Sequence, residues 1–168
     1  PTHRVVRRIG RGEQTEVLLA EPIEDVAPGA PRWFALKRLL PSLVGDEEAM
    51  VTLRREIELF GRLRHARLPR SMERRIEGRS PWMTMEYIDG PDLGRLLLEL
   101  GRRDRLLELQ AAKVVAMGVI DALRFLHREA GDQLGGPARG RPVLHGMVTP
   151  QNVLLGANGD VRLTDFGL

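Results

Sequence analysis

The sequence predicts an α+β fold in which a small, strand-rich first part carrying one long helix precedes a helical second part. Three observations predict it. The first third alternates short apolar runs with glycine and proline, the apolar period turns helical over Asp46–Arg64, and beyond Asp89-Gly90-Pro91 two long helical stretches rich in leucine and valine take over.

Strands are predicted at Arg4–Ile9, Glu16–Ala20 and Trp33–Leu39, punctuated by Gly10, Gly12, Pro22, Pro28, Gly29 and Pro31; together they read as an antiparallel meander. Between Asp46 and Arg64, Met50, Leu53, Ile57 and Phe60 recur three or four apart while arginine and glutamate fill the other faces. One face of that helix is expected to be buried. Met72–Ile76 and Trp82–Tyr87 form another strand pair, a hinge is expected at Glu86 to Gly90, and a leucine-rich helix begins at Asp92, a good N-cap. The helix Leu109–Arg128 carries two adjacent apolar stripes, Val115, Val119, Ala122 and Leu126 beside Ala116, Ile120 and Leu123, which predicts wide burial. The glycine-rich stretch Gly131–Pro142 reads as a loop. Val153–Leu155, Asn158-Gly159 and Val161–Leu163 read as a hairpin. The expected organisation is a first lobe over residues 1–88 and the beginning of a second over 89–168.

Composition bounds the function. A chain of 168 residues, 42% hydrophobic and 29% charged, is ordinary for a folded globular protein. The 26 basic and 23 acidic residues leave a net charge of +3, the arginines are scattered, and aromatic residues make up only 4%, so no nucleic-acid partner is expected. There is no cysteine, which excludes disulfides and thiolate metal sites, and the histidines show no ligand spacing. The longest nearly apolar run, Val114–Ile120, is far shorter than the roughly 20 residues of a membrane span. A cytoplasmic location is the expectation. The chain begins at Pro1, which suggests a piece of something longer.

The residues that carry chemistry come in a fixed order. A glycine turn, Gly10-x-Gly12, is followed by Val17, by Ala35-Leu36-Lys37, by Glu56 within Arg55-Glu56-Ile57, by Met85-Glu86-Tyr87, by His145 to Asn152, and by Asp165-Phe166-Gly167. Lys37 stands out, because only Lys37 and Lys113 are lysines among the 26 basic residues. A compact ammonium on a strand can reach phosphates and meet a carboxylate, whereas a guanidinium has a different reach and fork. Taken singly, the glycine pair would close an ordinary hairpin and Glu56 would be a surface glutamate. As an ordered set they resemble the protein kinases, from the glycine-rich loop to the D-F-G motif, over nearly the whole chain.

The resemblance implies ATP and Mg2+ as ligands. Gly10 and Gly12 would lie over the phosphates, Lys37 would contact them and pair with Glu56, and Val17, Ala35 and Leu154 would flank the adenine base. Met85 to Ile88 would meet its edge, chiefly through the backbone of Glu86 and Ile88. Asn152 and Asp165 would hold the metal, as oxygen ligands suit magnesium. The stretch Val143–Leu155, with the glycine-rich insertion before it, looks most like bacterial serine/threonine kinases.

The pattern breaks in the catalytic loop. Where the family has H-R-D, four residues and N, this chain reads His145-Gly146-Met147, Val148-Thr149-Pro150-Gln151, Asn152. Met147 stands at the position of the catalytic base, and a thioether cannot carry a proton away at neutral pH. Gly146 replaces the loop arginine, Thr149 the common lysine and Thr15 the third loop glycine; His145 reads as a packed structural residue beneath Phe166 rather than a substitute base. The chain stops at Leu168, directly after the D-F-G motif, so the long helix is expected to expose apolar surface that further helices would cover. Three readings follow: a pseudokinase-like module that binds Mg-ATP and signals to another protein through its conformation, a weakly active serine/threonine kinase, and an interaction domain that binds no nucleotide.

Overall fold

The computed structural model describes residues 3–23 and 32–166. Pro28, Gly29, Pro31, Gly167 and Leu168, which entered the sequence reading, lie outside the described residues. The chain divides into two compact units, the first running through Arg62 and resuming over Arg70–Tyr87, the second comprising Leu63–Pro69 and the chain from Ile88 onward.

The first unit is built on a five-stranded antiparallel sheet of β1 (His3–Arg11), β2 (Thr15–Pro22), β3 (Phe34–Leu39), β4 (Ser71–Arg75) and β5 (Trp82–Glu86). Its order is β1-β2-β3-β5-β4. The first three strands form the expected meander, and β5 inserts between β3 and β4. Direct pairing sets the register: Val17 lies opposite Lys37 and Leu19 opposite Ala35, while Lys37 and Ala35 in turn face Met83 and Met85. Because paired residues share a face of a sheet, Val17, Ala35, Lys37 and Met85 stand on one side of it.

Helix α1 (Glu47–Arg62) starts where Asp46 Oδ1 accepts from the Ala49 N–H at 2.9 Å. Glu47 and Glu48 in its first turn and Arg62 in its last suit the helix dipole. It buries the predicted face, Met50, Leu53, Ile57 and Phe60, and adds Ala49, Glu56 and Gly61. Each large apolar side chain so buried contributes about 1.5–3 kcal/mol.

The second unit contains α2 (Leu93–Arg102), α3 (Leu109–Arg128), the short α4 (Ala130–Leu134), and the hairpin β6 (Val153–Leu155) and β7 (Val161–Leu163). Asp92 caps α2 by accepting from the Arg95 N–H at 2.8 Å. The Gly131–Pro142 stretch departs from the expectation of a plain loop. It holds most of α4 and a 3-10 turn over Gly136–Ala138, tied down when Gln133 exchanges two hydrogen bonds with the Arg64 backbone. Helix α3 packs on β7 with Gly118, Ala122, Phe125 and Leu126 buried, and the exposed apolar surface expected of this helix lies largely on its other stripe. Ala116 and Ile120 of the other predicted stripe are exposed, together with Leu109, Val114 and Met117. Periodicity marks a stripe as apolar but does not say whether another element of the chain covers it.

That asymmetry predicts two outcomes in denaturant melts. Phe125→Ala, which empties a buried site stacked face to face on His65, should cost about 3–5 kcal/mol. The double change Met117→Ser and Ile120→Ser should stay within about 0.5 kcal/mol of wild type and raise solubility.

Candidate functional site

The predicted residues fall into two sets, one in each unit. In the first, Gly10 lies on β1 opposite Val17, and the turn closes with the Gly12 N–H donating to the Thr15 carbonyl at 2.8 Å. Thr15 opens β2 across from Leu39, so the residue in place of a third glycine is the first rung of a strand. Lys37 and Glu56 meet in a buried ion pair, Nζ to Oε1 at 2.5 Å, with each residue only 3% exposed. Two charges removed from water this completely need compensation, and removing one partner of such a buried pair costs about 3–5 kcal/mol. Lys37 is therefore held as an ammonium at a defined point on the face it shares with Val17, Ala35 and Met85.

Met85 is buried, and Glu86 ends β5 with its N–H donating to the Arg70 carbonyl at 2.8 Å and its carboxylate accepting from the Arg70 N–H at 3.1 Å. The edge of β5 is thus fixed by the chain entering β4. Ile88 opens the second unit.

The sequence reading passed over two residues of this unit, Glu16 and Arg38. They are cross-strand partners, with Glu16 only 6% exposed and Arg38 Nε donating to its Oε1 at 3.0 Å, while Arg8 approaches from β1 at 4.0 Å. Each is the immediate neighbour of a site residue, Glu16 of Val17 and Arg38 of Lys37. Pairing them on one face fixes the register that sets Val17 opposite Lys37 on the other. Opposite charges flanking two predicted site positions were the available signal.

In the second unit, the backbone builds the loop around Met147. His145 is 2% exposed and lies edge-on to Phe166, ring centroids 6.3 Å apart. Its Nδ1 accepts from the Met147 N–H at 3.2 Å, which places the imidazole proton on the buried Nε2. Burial pushes the His145 pKa below its ordinary value, opposed in part by the Thr164 backbone and the Asp165 carboxylate. The enclosed imidazole packs against Phe166, where the sequence placed it. Gly146 has φ of +81°, a left-handed conformation that favours glycine. Met147 is 49% exposed.

Asn152 is buried, its Nδ2 donating to the Met147 carbonyl at 2.9 Å, and its own carbonyl accepts from the Thr164 N–H at 3.0 Å. The second bond sets Asn152 beside the residue that precedes Asp165. The first orients the carboxamide, so that Oδ1 is the atom it can offer a cation. Asp165 has φ of +59°, held in place between Thr164 and the buried Phe166. No cluster of three or more His, Asp or Glu side chains suited to a metal occurs among the described residues. An amide oxygen and a carboxylate are hard donors that fit a magnesium ion retaining most of its waters. Leu154 lies on β6 and forms an isolated bridge with Asp92.

The family model for the protein kinase domain matches residues 3–168. The tyrosine-protein kinase MasK of Myxococcus xanthus is 30% identical over 98% of this chain, which spans 24% of that protein. The serine/threonine-protein kinase PknI of Mycobacterium tuberculosis is 31% identical over 99% of this chain, which spans 26% of it. The chain thus covers about a quarter of the length of these relatives. The crystal structure of the Mycobacterium tuberculosis PknI kinase domain superposes with a TM-score of 0.66 at 31% identity, covering 99% of this chain and 59% of that one.

The depressed pKa of His145 carries a definite sign. The unfolded chain takes up a proton near the ordinary value of 6.5, whereas the folded chain resists it. The contribution is complete above that value, declines as pH falls from it, and levels off once pH is below the folded pKa. An NMR titration should place His145 below 6.5, and His145→Gln should flatten the loss in urea midpoints as pH falls below about 6.5.

Proposed function

This chain belongs to the protein kinase domain family, and from that premise we propose that it binds Mg-ATP and acts as a pseudokinase-like regulatory module with impaired phosphoryl transfer. The observation that carries the proposal is the buried Lys37–Glu56 pair, kept intact in a chain whose base position is Met147. A buried ion pair is weak evidence for stability, because an apolar pair of similar volume serves as well. Its retention is better explained by a requirement for a cation at Lys37.

In this reading residues 1–88 form the first lobe and 89–168 the start of the second. Lys37 would bind phosphate, with Gly10 and Gly12 admitting the phosphates close to the backbone. Val17, Ala35 and Leu154 would contact the faces of the base, and Met85 with the backbone of Glu86 and Ile88 its edge. Asn152 and Asp165 would hold the magnesium, which neutralises phosphate charge when bound. Among the described residues no helix is long and apolar enough to cross a membrane. The partners proposed are the nucleotide and a second protein that responds to the domain, in the cytoplasm where Mg-ATP is supplied.

A weakly active serine/threonine kinase is the second reading, favoured by the Asn152 and Asp165 donors and by the PknI likeness. Phosphoryl transfer depends mostly on positioning and electrostatics, so loss of a base slows it by about 10²- to 10⁴-fold rather than abolishing it.

Thermal melting of the full natural protein with and without Mg-ATP tests the first claim. Ligand at a hundred times its dissociation constant adds about 2.7 kcal/mol, a shift of several degrees. Wild type should show the shift and Lys37→Ala should lose it. No shift in wild type would leave an interaction domain that binds no nucleotide. For catalysis, Met147→Asp should raise phosphotransfer by about 10²- to 10⁴-fold if the base is the principal defect, measured by phosphate incorporation into a generic protein substrate. An unchanged rate would mean that further parts are missing.

A further inference from the structure

Within the first unit α1 is tied to the β4–β5 hairpin by two arginines working in opposite directions. Arg54, on α1, donates through Nε to the Ile76 carbonyl at 3.1 Å and through Nη2 to the Gly78 carbonyl at 2.7 Å. Arg74, on β4, reaches back and donates through Nη1 to the Gly61 carbonyl at 3.2 Å, in the last turn of α1. Gly61 has an ordinary helical backbone, so its conformation does not call for glycine. What calls for it is space: a Cβ there would stand 2.9 Å from Arg74 Cζ and 3.2 Å from Cδ. Glycine weakens a helix, and here it provides the seat for a guanidinium.

We infer that Arg74, seated on Gly61, and Arg54 are positioning residues that hold α1 where Glu56 meets Lys37. Glu56 lies between the two attachment points in sequence, two residues after Arg54 and in the turn before Gly61. The apolar face of α1 fixes which side of the helix is buried, but apolar contacts are non-directional and permit small slides and rotations. Guanidinium-to-carbonyl bonds are directional and charge-assisted, and they set the helix along its axis. A salt bridge of 2.5 Å tolerates little displacement. A cavity of about 560 Å³ lined by Arg74, Arg75, Ile76, Glu77 and Gly78 adjoins the tie, giving a displaced Arg74 side chain somewhere to go without disturbing the core. The functional meaning of the inference rests on the nucleotide reading above; its primary test does not.

Lys37 is enclosed and Lys113 is exposed, and they are the only lysines of this chain. In the full natural protein, the acetylation rate of Lys37 relative to Lys113 by an amine-reactive acetate ester, read by peptide mass spectrometry, therefore reports whether the ion pair is held. Gly61→Ala and Arg74→Ala should each raise that ratio about tenfold, the equivalent of one charge-assisted hydrogen bond. The thermal midpoint of Gly61→Ala should stay at or above wild type, because alanine favours the helix. Arg74→Lys, which retains a charged donor, should restore most of the protection. A ratio within about twofold of wild type in both variants overturns the inference, and so does global unfolding in both, which would make the ties general supports of the fold. Mg-ATP affinity measured alongside should fall with rising Lys37 exposure. Failure of wild type to bind Mg-ATP would overturn the nucleotide reading, and the acetylation ratio would still decide this one.

Discussion

The buried contact between Lys37 and Glu56 is the constraint around which the first unit is arranged. An ammonium and a carboxylate taken out of water are tolerable only at close range and good geometry, so the strand carrying one and the helix carrying the other cannot be placed independently. The β2–β3 register, fixed on the opposite face by Glu16 and Arg38, decides where along the sheet Lys37 stands. The attachment of α1 to the β4–β5 hairpin decides where Glu56 stands. Both supports use arginine, in a chain whose only other lysine is Lys113.

In the second unit, the loop around position 147 is held together by its backbone. Both bonds that tie position 147 into the loop use its backbone: the N–H reaches His145 and the carbonyl receives Asn152. The side chain takes no part in that scaffold and is half exposed. The frame that carries Asn152 and Asp165 therefore does not depend on which side chain stands at 147.

Much of this was legible in the sequence where the physics is local. Helix α3 begins and ends at the predicted residues, and β6 and β7 match as well, because Asn158-Gly159 leaves the hairpin few alternatives. Met50, Leu53, Ile57 and Phe60 identified the buried face of α1 because periodicity and burial coincide there. The order of motifs assigned the family, which the match to the protein kinase domain bears out. What stayed hidden depends on partners distant in sequence. Glycine and proline disguised α4, whose stability comes from Gln133 gripping the Arg64 backbone. The ties made by Arg54 and Arg74 run to carbonyls, and carbonyls carry no sequence signature. The exposed stripe of α3 has the same composition as the buried one, so only packing distinguishes them.

Gly146 bears on how such a domain changes over time. At φ of +81° any residue with a Cβ is strained by about 1–2 kcal/mol, so glycine is the residue that holds this backbone without strain. A change from glycine brings strain before any benefit of a new side chain can be felt. Position 146 thus resists change: any step away from glycine begins uphill in folding free energy.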